Sequence, residues 1–231
     1  MEGPIAGKDN YDELNDGIHI LEKVIKDYKK SENIEIELRI GQIMENSFKS
    51  GLGSENFYNK IKELLESNKN WDKILRTKTE ELNNNGIRKI THFNGKKIAK
   101  QSCIKKSKIK TINLKYSNSP YDIRISVARE VESEERIRAG TGTLRKKDRV
   151  SYFHKDFRFD LTKVIQIENT VETLMYEFEI EFINLNSEIT DIYRAHSALL
   201  KMRDIINSCE KIEDAKLSID LEAELKGLNI N

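Results

Sequence analysis

Between Glu177 and Glu181 three carboxylates alternate with apolar residues, Glu177-Phe178-Glu179-Ile180-Glu181, and Tyr176 and Phe182 continue the apolar series. Successive side chains of a strand point to opposite faces. Glu177, Glu179 and Glu181 therefore line one face, and Tyr176, Phe178, Ile180 and Phe182 the other. Three ionised carboxylates on one face repel each other unless water screens them or cations occupy the space between them. The arrangement recurs near the start, where Ile34-Glu35-Ile36-Glu37-Leu38-Arg39-Ile40 sets Glu35, Glu37 and Arg39 opposite four aliphatic residues. Two such strands meeting across a cavity could hold a hard metal ion. Mg²⁺ and Mn²⁺ both favour oxygen ligands, and the residues do not choose between them.

A second polar set is basic: Arg39, Arg76, Lys78, Arg124, Lys147, Arg149 and Arg158. Lys and Arg facing clustered glutamates suit phosphate oxygens, Arg bidentately. A metal with basic side chains around a polyphosphate describes phosphoryl transfer or hydrolysis: the metal polarises the phosphoryl group and the cations offset transition-state charge. No serine or cysteine nucleophile is required, because a glutamate can orient or deprotonate water.

The elements that must position these residues follow from periodicity. Leu14, Ile18, Leu21, Val24, Ile25 and Tyr28 recur at helical spacing and predict a helix over 11–29. A second helix is predicted over 54–68, with Ser54 as N-cap and Phe57, Ile61, Leu64 and Leu65 on one face. From Trp71 to about Ile183 the period is two. Ile74 to Glu81 is read as a strand with Arg76, Lys78 and Glu80 on one face. Asn83-Asn84-Asn85-Gly86 is a hairpin turn. Ile87 to Phe93 returns, Asn94-Gly95 turns again, and Lys96 to Lys106 goes out once more.

After a polar connection from Tyr116 to Pro120, Tyr121 to Glu130 is a strand that sets Arg124, Ser126 and Ala128 opposite Ile123, Ile125 and Val127. Residues 131–144 read as a mobile connection, and Gly140-Thr141-Gly142-Thr143 lacks the Gly-Lys-Ser/Thr ending of a phosphate loop. A hairpin turning at His154-Lys155-Asp156 puts Lys147, Arg149 and Ser151 on one strand face and Arg158, Asp160 and Thr162 on the next. A third helix is predicted over 187–208 and a short strand over Ser218 to Leu221. Trp71 reads as packing, and His19, His92, His154 and His196 have no metal-binding spacing.

Segregated acids and bases on many strands predict a closed antiparallel barrel of about eight strands with a polar interior, its apolar outer face covered by the three helices; the class is α+β. At 231 residues the chain reads as one domain over 1–231, and the whole has the look of a piece of a longer protein. Net charge is +1, so any anion site must come from local clustering of its 40 basic residues. Cys103 and Cys209 make no disulfide framework, which points to a reducing compartment. The first ten residues hold no apolar signal segment, and no apolar run reaches membrane-spanning length, so the chain reads as soluble and intracellular, without a membrane partner.

The ordered combination resembles the triphosphate tunnel metalloenzymes, and within them the metal-dependent RNA 5′-triphosphatases of fungal and DNA-virus mRNA capping systems. Glu35-Ile-Glu37-Leu-Arg39 matches the family's first Glu-x-Glu-x-Lys/Arg strand, and Asp122-Ile-Arg124-Ile-Ser126 its Arg-x-Ser strand. Arg145-Lys-Lys147-Asp-Arg149-Val-Ser151-Tyr152 followed by Arg158-Phe-Asp160-Leu-Thr162-Lys163 matches the basic hairpin, and Glu177-Phe-Glu179-Ile-Glu181 the last glutamate strand. The chain is also similar to the N-terminal part of giant-virus capping enzymes of the mimivirus kind; a viral source would place it in the virion or host cytoplasm.

The resemblance implies an eight-stranded triphosphate tunnel that hydrolyses the γ-phosphate of 5′-triphosphate RNA, and of NTPs, with Mg²⁺ or Mn²⁺. It implies Glu35, Glu37 and Glu181 as metal ligands, with Glu177 and Glu179 completing the acidic cluster. Arg124, Lys147 and Arg149 would take the γ-phosphate, with Arg39 and Arg158 as further phosphate ligands; Asp160 and Thr162 would support the wall, Asp160 pairing with Arg158. A guanylyltransferase domain on the same chain would be a natural partner, although no Lys-x-Asp-Gly motif occurs here.

Two other readings compete. One keeps the tunnel and changes the substrate to inorganic tripolyphosphate, thiamine triphosphate or, for a cyclase, ATP. The other is a non-catalytic RNA-binding barrel, which predicts salt-sensitive binding without phosphate release. A lone Glu-x-Glu-x-Arg strand is ordinarily a solvated face; five glutamates aimed at one cavity are more than RNA binding requires.

Overall fold

The computed structural model describes residues 10–45, 47–116, 119–135, 137 and 142–208, with side chains from residue 14 onward. Its elements are α1 (Asn10–Tyr28), β1 (Ile34–Met44), β2 (Ser47–Ser50), α2 (Glu55–Ser67), β3 (Lys73–Asn84), β4 (Ile87–Asn94), β5 (Lys97–Leu114), β6 (Asp122–Glu132), β7 (Thr143–His154), β8 (Phe157–Glu168) and β9 (Val171–Phe182). A third helix, α3, covers residues 191–208. Gly140, Thr141 and the strand expected at Ser218 to Leu221 lie outside the described residues.

The strands pair antiparallel in the order β1-β6-β5-β4-β3-β7-β8-β9, and β9 pairs back with β1, so eight strands close into a ring. β2 is a short return along the end of β1, outside the ring. The β3–β4 hairpin turns through Asn85 (φ 47°) and Gly86 (φ 80°). Positive φ at both central residues is what a two-residue turn matching strand twist demands, and Asn-Gly supplies it. The β7–β8 hairpin turns at Lys155, also at positive φ.

The apolar core lies outside the ring. Ile36, Leu38 and Ile40 of β1, Ile123 and Ile125 of β6, Phe159 of β8 and Phe178 and Ile180 of β9 are buried on the outward face. Leu21 and Ile25 of α1, Phe57 and Ile61 of α2, and Leu199, Met202 and Ile206 of α3 belong to the same cluster. At roughly 25 cal/mol per Å² of apolar surface removed from water, this layer is the main stabilising contact of the domain. The helices leave part of the ring uncovered; Ile74 of β3 and Ile98 and Ile109 of β5 stay exposed.

Ser54 caps α2, its Oγ accepting from the Phe57 N–H at 3.2 Å. Leu64, expected on the buried face, is exposed. Trp71 is packing, as expected: its ring lies 5.3 Å from that of Tyr152 and 5.2 Å from that of Phe159, and its Nε1 donates to the Leu65 carbonyl. α3 begins four residues later than expected because Arg194 holds the preceding loop. The buried Arg194 guanidinium donates to Ser187 O and Oγ and pairs with Asp156 (2.8 Å) in the β7–β8 turn and Asp191 (2.9 Å). No helix among the described residues is long and apolar enough to cross a membrane.

Two strands depart from expectation. β5 continues to Leu114, past the predicted end at Lys106, because a bulge between Lys108 and Lys110 inserts Ile109 and resets the alternation. On β3 the inward face is the other one. Thr77, Thr79 and Glu81 stand directly opposite Arg149, Lys147 and Arg145 of β7 and share their face. Arg76 and Lys78 therefore point outward, exposed, where they pair with Glu66 of α2 and Asp148. Both faces of β3 are polar, so alternation alone could not orient it.

Candidate active site

The ring closes where the two glutamate strands meet. Glu37 of β1 stands opposite Glu181 of β9, and Arg39 opposite Glu179. On the other side of β9, Glu181, Glu179 and Glu177 face Arg158, Asp160 and Thr162 of β8. Asp160 and Thr162 in turn face Ser151 and Arg149 of β7. Four neighbouring strands thus present acids and bases on shared rungs of one inner wall.

Arg39 joins the two glutamate strands: its Nη2 lies 2.9 Å from Glu37 and its Nε 2.9 Å from Glu179, the second contact off the N–H axis and so a charge contact rather than a hydrogen bond. Asp160 is the other hub. It accepts from Ser151 Oγ (2.6 Å), Arg149 Nη1 (2.8 Å) and Arg158 Nε (3.0 Å). Arg149 also donates to Thr162 (3.1 Å), and Arg158 to Glu181. The pairing expected between Arg158 and Asp160 is present. Lys147 meets Glu81 at 2.7 Å, Glu177 accepts from Arg145 at 2.6 Å, and Glu35 accepts from Lys106.

Four inner-wall residues escaped the sequence reading. Glu81 (β3), Arg88 (β4), Lys106 (β5) and Glu130 (β6) extend the network: Arg88 lies 3.8 Å from both Glu81 and Glu130, and Lys106 3.0 Å from Glu130. The available signal was the Asn85-Gly86 turn, which sets Arg88 opposite Asn83 and hence on the Glu81 face. Glu130 sits at the end of a predicted strand, just before the segment read as a connection. Arg124, by contrast, does not join Lys147 and Arg149. It is half-buried at the mouth of the tunnel, opposite Arg39 on β6, and bonds Asn113.

Burial without full compensation shapes the protonation of the wall. Burial pushes Glu37 above the usual carboxylate range against the opposing pull of Arg39, with Glu179 and Glu35 pushing the same way as burial. Burial also raises Glu181, to about 8, against Arg158 and with help from Glu35. Glu179 goes the other way: burial acts upward, but Arg39 and Arg149 outweigh it and keep the group ionised. Burial lowers the Lys147 ammonium to about 8, although Glu81 opposes.

The donor chemistry of Glu35, Glu37 and Glu181 fits a hard divalent cation. All donors are carboxylate oxygens, and Glu37 and Glu181, whose charged forms burial disfavours, would gain from a cation that offsets that charge. Among the described residues no three acidic, histidine or cysteine groups converge as a formed metal cage. Lys106 and Arg158 hold oxygens of Glu35 and Glu181 that an ion would take over.

Because the folded state holds the Glu181 proton up to about pH 8 and the unfolded chain releases it near 4.5, the native state binds more protons between those values. Stability of metal-free protein then falls as pH rises through that window. Glu179, depressed, contributes its full stability throughout it. Thermal melting in EDTA should show a Tm several degrees lower at pH 8 than at pH 5.5, and Mn²⁺ should raise Tm more at pH 8. A Tm that climbs with pH in EDTA would contradict the assignment.

A closed polar tunnel with acidic and basic walls is the architecture of a phosphate-handling enzyme class, and comparison narrows it. The family profile described as "mRNA capping enzyme, beta chain" matches residues 46–198. The chain belongs to that family. It is 35% identical over 86 residues to the mRNA-capping enzyme subunit beta of Schizosaccharomyces pombe, a match covering 36% of this chain and 28% of the relative. It is 40% identical over 70 residues to the Yarrowia lipolytica subunit, covering 30% and 17%. The match thus spans less than a third of either relative's length.

In fold it resembles the S. pombe Pct1 RNA triphosphatase in complex with the Spt5 CTD (TM-score 0.64, 20% identity, 88% of this chain and 94% of that one). It also resembles the RNA triphosphatase domain of a trifunctional mimivirus mRNA capping enzyme (TM-score 0.57, 18% identity, 83% and 96%).

Proposed function

We propose that the chain removes the γ-phosphate of 5′-triphosphate-ended RNA, leaving a 5′-diphosphate end for guanylyl transfer, and that NTPs serve as simpler substrates. The observation that carries this is the rung on which Glu37 and Glu181 meet, in the enclosed wall that also holds Lys147 and Arg149. Membership of the capping-enzyme beta-chain family supports the choice of substrate. The residues described form a single tunnel domain, read as part of a longer capping enzyme; the guanylyltransferase that consumes the product is on this chain or on another.

Glu35, Glu37 and Glu181 would hold one Mg²⁺ or Mn²⁺, which supplies Lewis-acid polarisation of the phosphoryl group when bound. Lys147 and Arg149 would bind the γ-phosphate, with Arg88 and Lys106 adding positive charge from the facing strands. Arg39 positions Glu37 and Glu179. Arg158 positions Asp160 and Glu181. Glu179, kept ionised, accepts a hydrogen bond from the attacking water and orients it; its lowered proton affinity makes it a poor base. Glu177 completes the acidic wall beside Arg145.

The test is phosphate release from γ-labelled triphosphate-ended RNA with Mg²⁺, Mn²⁺ or EDTA. Metal-dependent release of inorganic phosphate is expected. Pyrophosphate from ATP would instead indicate a cyclase, and salt-sensitive RNA binding with no release under any metal would indicate a binding module.

A further inference from the structure

Arg124 differs from the other arginines of the inner wall. Arg39, Arg88, Arg145, Arg149 and Arg158 each meet a carboxylate. Among the described residues Arg124 meets none. Its Nε donates to Asn113 Oδ1 at 2.9 Å, and its terminal nitrogens make no hydrogen bond among the described residues. It lines a cavity of about 270 Å³ together with Glu37, Arg88 and Lys106, so it opens onto the same space as one of the proposed metal ligands and the two cations of the facing strands.

The guanidinium lies over the ring of Phe48, its Cζ 4.3 Å from the ring centroid. Phe48 reaches this place because β2 folds back along β1. A Cβ at Gly41 would come within 2.4 Å of a Phe48 ring carbon and of the Lys49 carbonyl. The bare backbone at Gly41 is thus the seat of the ring. Between the Phe48 ring and the Asn113 amide, the guanidinium is held as a fixed plane at the tunnel mouth.

A buried anion clamp offers N–H groups to oxygen atoms, as Lys147 and Arg149 do. A guanidinium backed by an aromatic ring offers instead a delocalised face, the surface on which nucleobases stack. With Arg39 directly opposite on β1, a polyanion running inward from this point also meets favourable charge.

We propose that Arg124, backed by Phe48, is the stacking seat for the nucleobase of the first nucleotide, whose triphosphate runs inward from the mouth. The proposal rests on the hydrolase reading above. Every base has a π-face, so the seat tolerates any of the four. It separates nucleotides from bare polyphosphate.

Steady-state KM values for ATP, triphosphate-ended RNA and inorganic tripolyphosphate test this. Arg124→Lys keeps the charge and loses the plane; Phe48→Leu keeps an apolar group on Gly41 and loses the ring. Each should raise KM for ATP and RNA about tenfold relative to KM for tripolyphosphate, with little change in kcat. A ratio within twofold of the unaltered protein overturns the seat, and so does an equal rise for all three substrates, which would make Arg124 an anion clamp. Equilibrium binding of β,γ-imido-ATP and imidotriphosphate reads the same ratio without turnover. If the unaltered protein releases phosphate from none of the substrates, the hydrolase reading fails and the binding ratio still decides the seat.

Discussion

Replacing Glu37 or Glu181 with alanine should reduce metal-dependent phosphate release by at least about three orders of magnitude, equivalent to roughly 4 kcal/mol of transition-state stabilisation. The two side chains stand opposite each other across the closure of the ring, and both are proposed as metal ligands. The folded state should tolerate either change. Burial disfavours the charged form of both carboxyls, so their removal relieves a cost as well as removing contacts. Arg39 keeps Glu179, and Arg158 keeps Asp160. Thermal melting should therefore place each variant within a few degrees of the unaltered protein in EDTA, while the increase of Tm with Mn²⁺ shrinks. A variant that keeps a tenth of the activity would remove that residue from the metal site.

The opposite pattern is expected for Asp160→Ala. Asp160 is 1% exposed and is the shared acceptor for Ser151, Arg149 and Arg158. Its removal leaves two guanidinium groups in the wall without their common counter-charge. Breaking a buried ionic contact from one side costs about 3–5 kcal/mol, a large part of the 5–15 kcal/mol that holds a typical domain. The urea midpoint should fall accordingly, and activity should fall with it because Arg149 loses the contact that aims it. Asp160→Asn, which keeps the shape and two of the acceptor positions, should lose less stability. An Asp160→Ala protein as stable as the unaltered chain would mean that Arg149 and Arg158 find equivalent partners elsewhere.

The parts of this architecture that could be read in advance are those where one face is apolar. On β1, β6, β8 and β9 an aliphatic or aromatic row sits opposite a charged one, so the inward residues followed directly: Glu35, Glu37, Asp160, Glu179. The amphipathic helices announced themselves for the same reason. β3 defeated the reading because both its rows are polar, and only the pairing of Glu81 with Arg145 shows which one is inside. β5 defeated it because Ile109 adds one residue at a bulge and alternation changes sign there. Arg124 has the right residue type on the right face, yet its height along β6 depends on register against Arg39, which no local pattern encodes. Phe48 lay in a four-residue strand too short to carry any period. Long-range register and strand height were the missing information, and both arise only on closure.

That closure is narrow. β1 and β9 share three residue pairs, and Glu37, Arg39, Glu179 and Glu181 belong to two of them. The seam is also the last pairing of the ring that synthesis makes possible, with α3 still to follow: β1 leaves the ribosome some 140 residues ahead of its partner. The acidic seat does not exist on any nascent fragment that ends before β9, however well its earlier hairpins have formed. A chain cut short of β9 is therefore expected to lack the proposed activity, which would arrive in one step with the final stitch of the barrel.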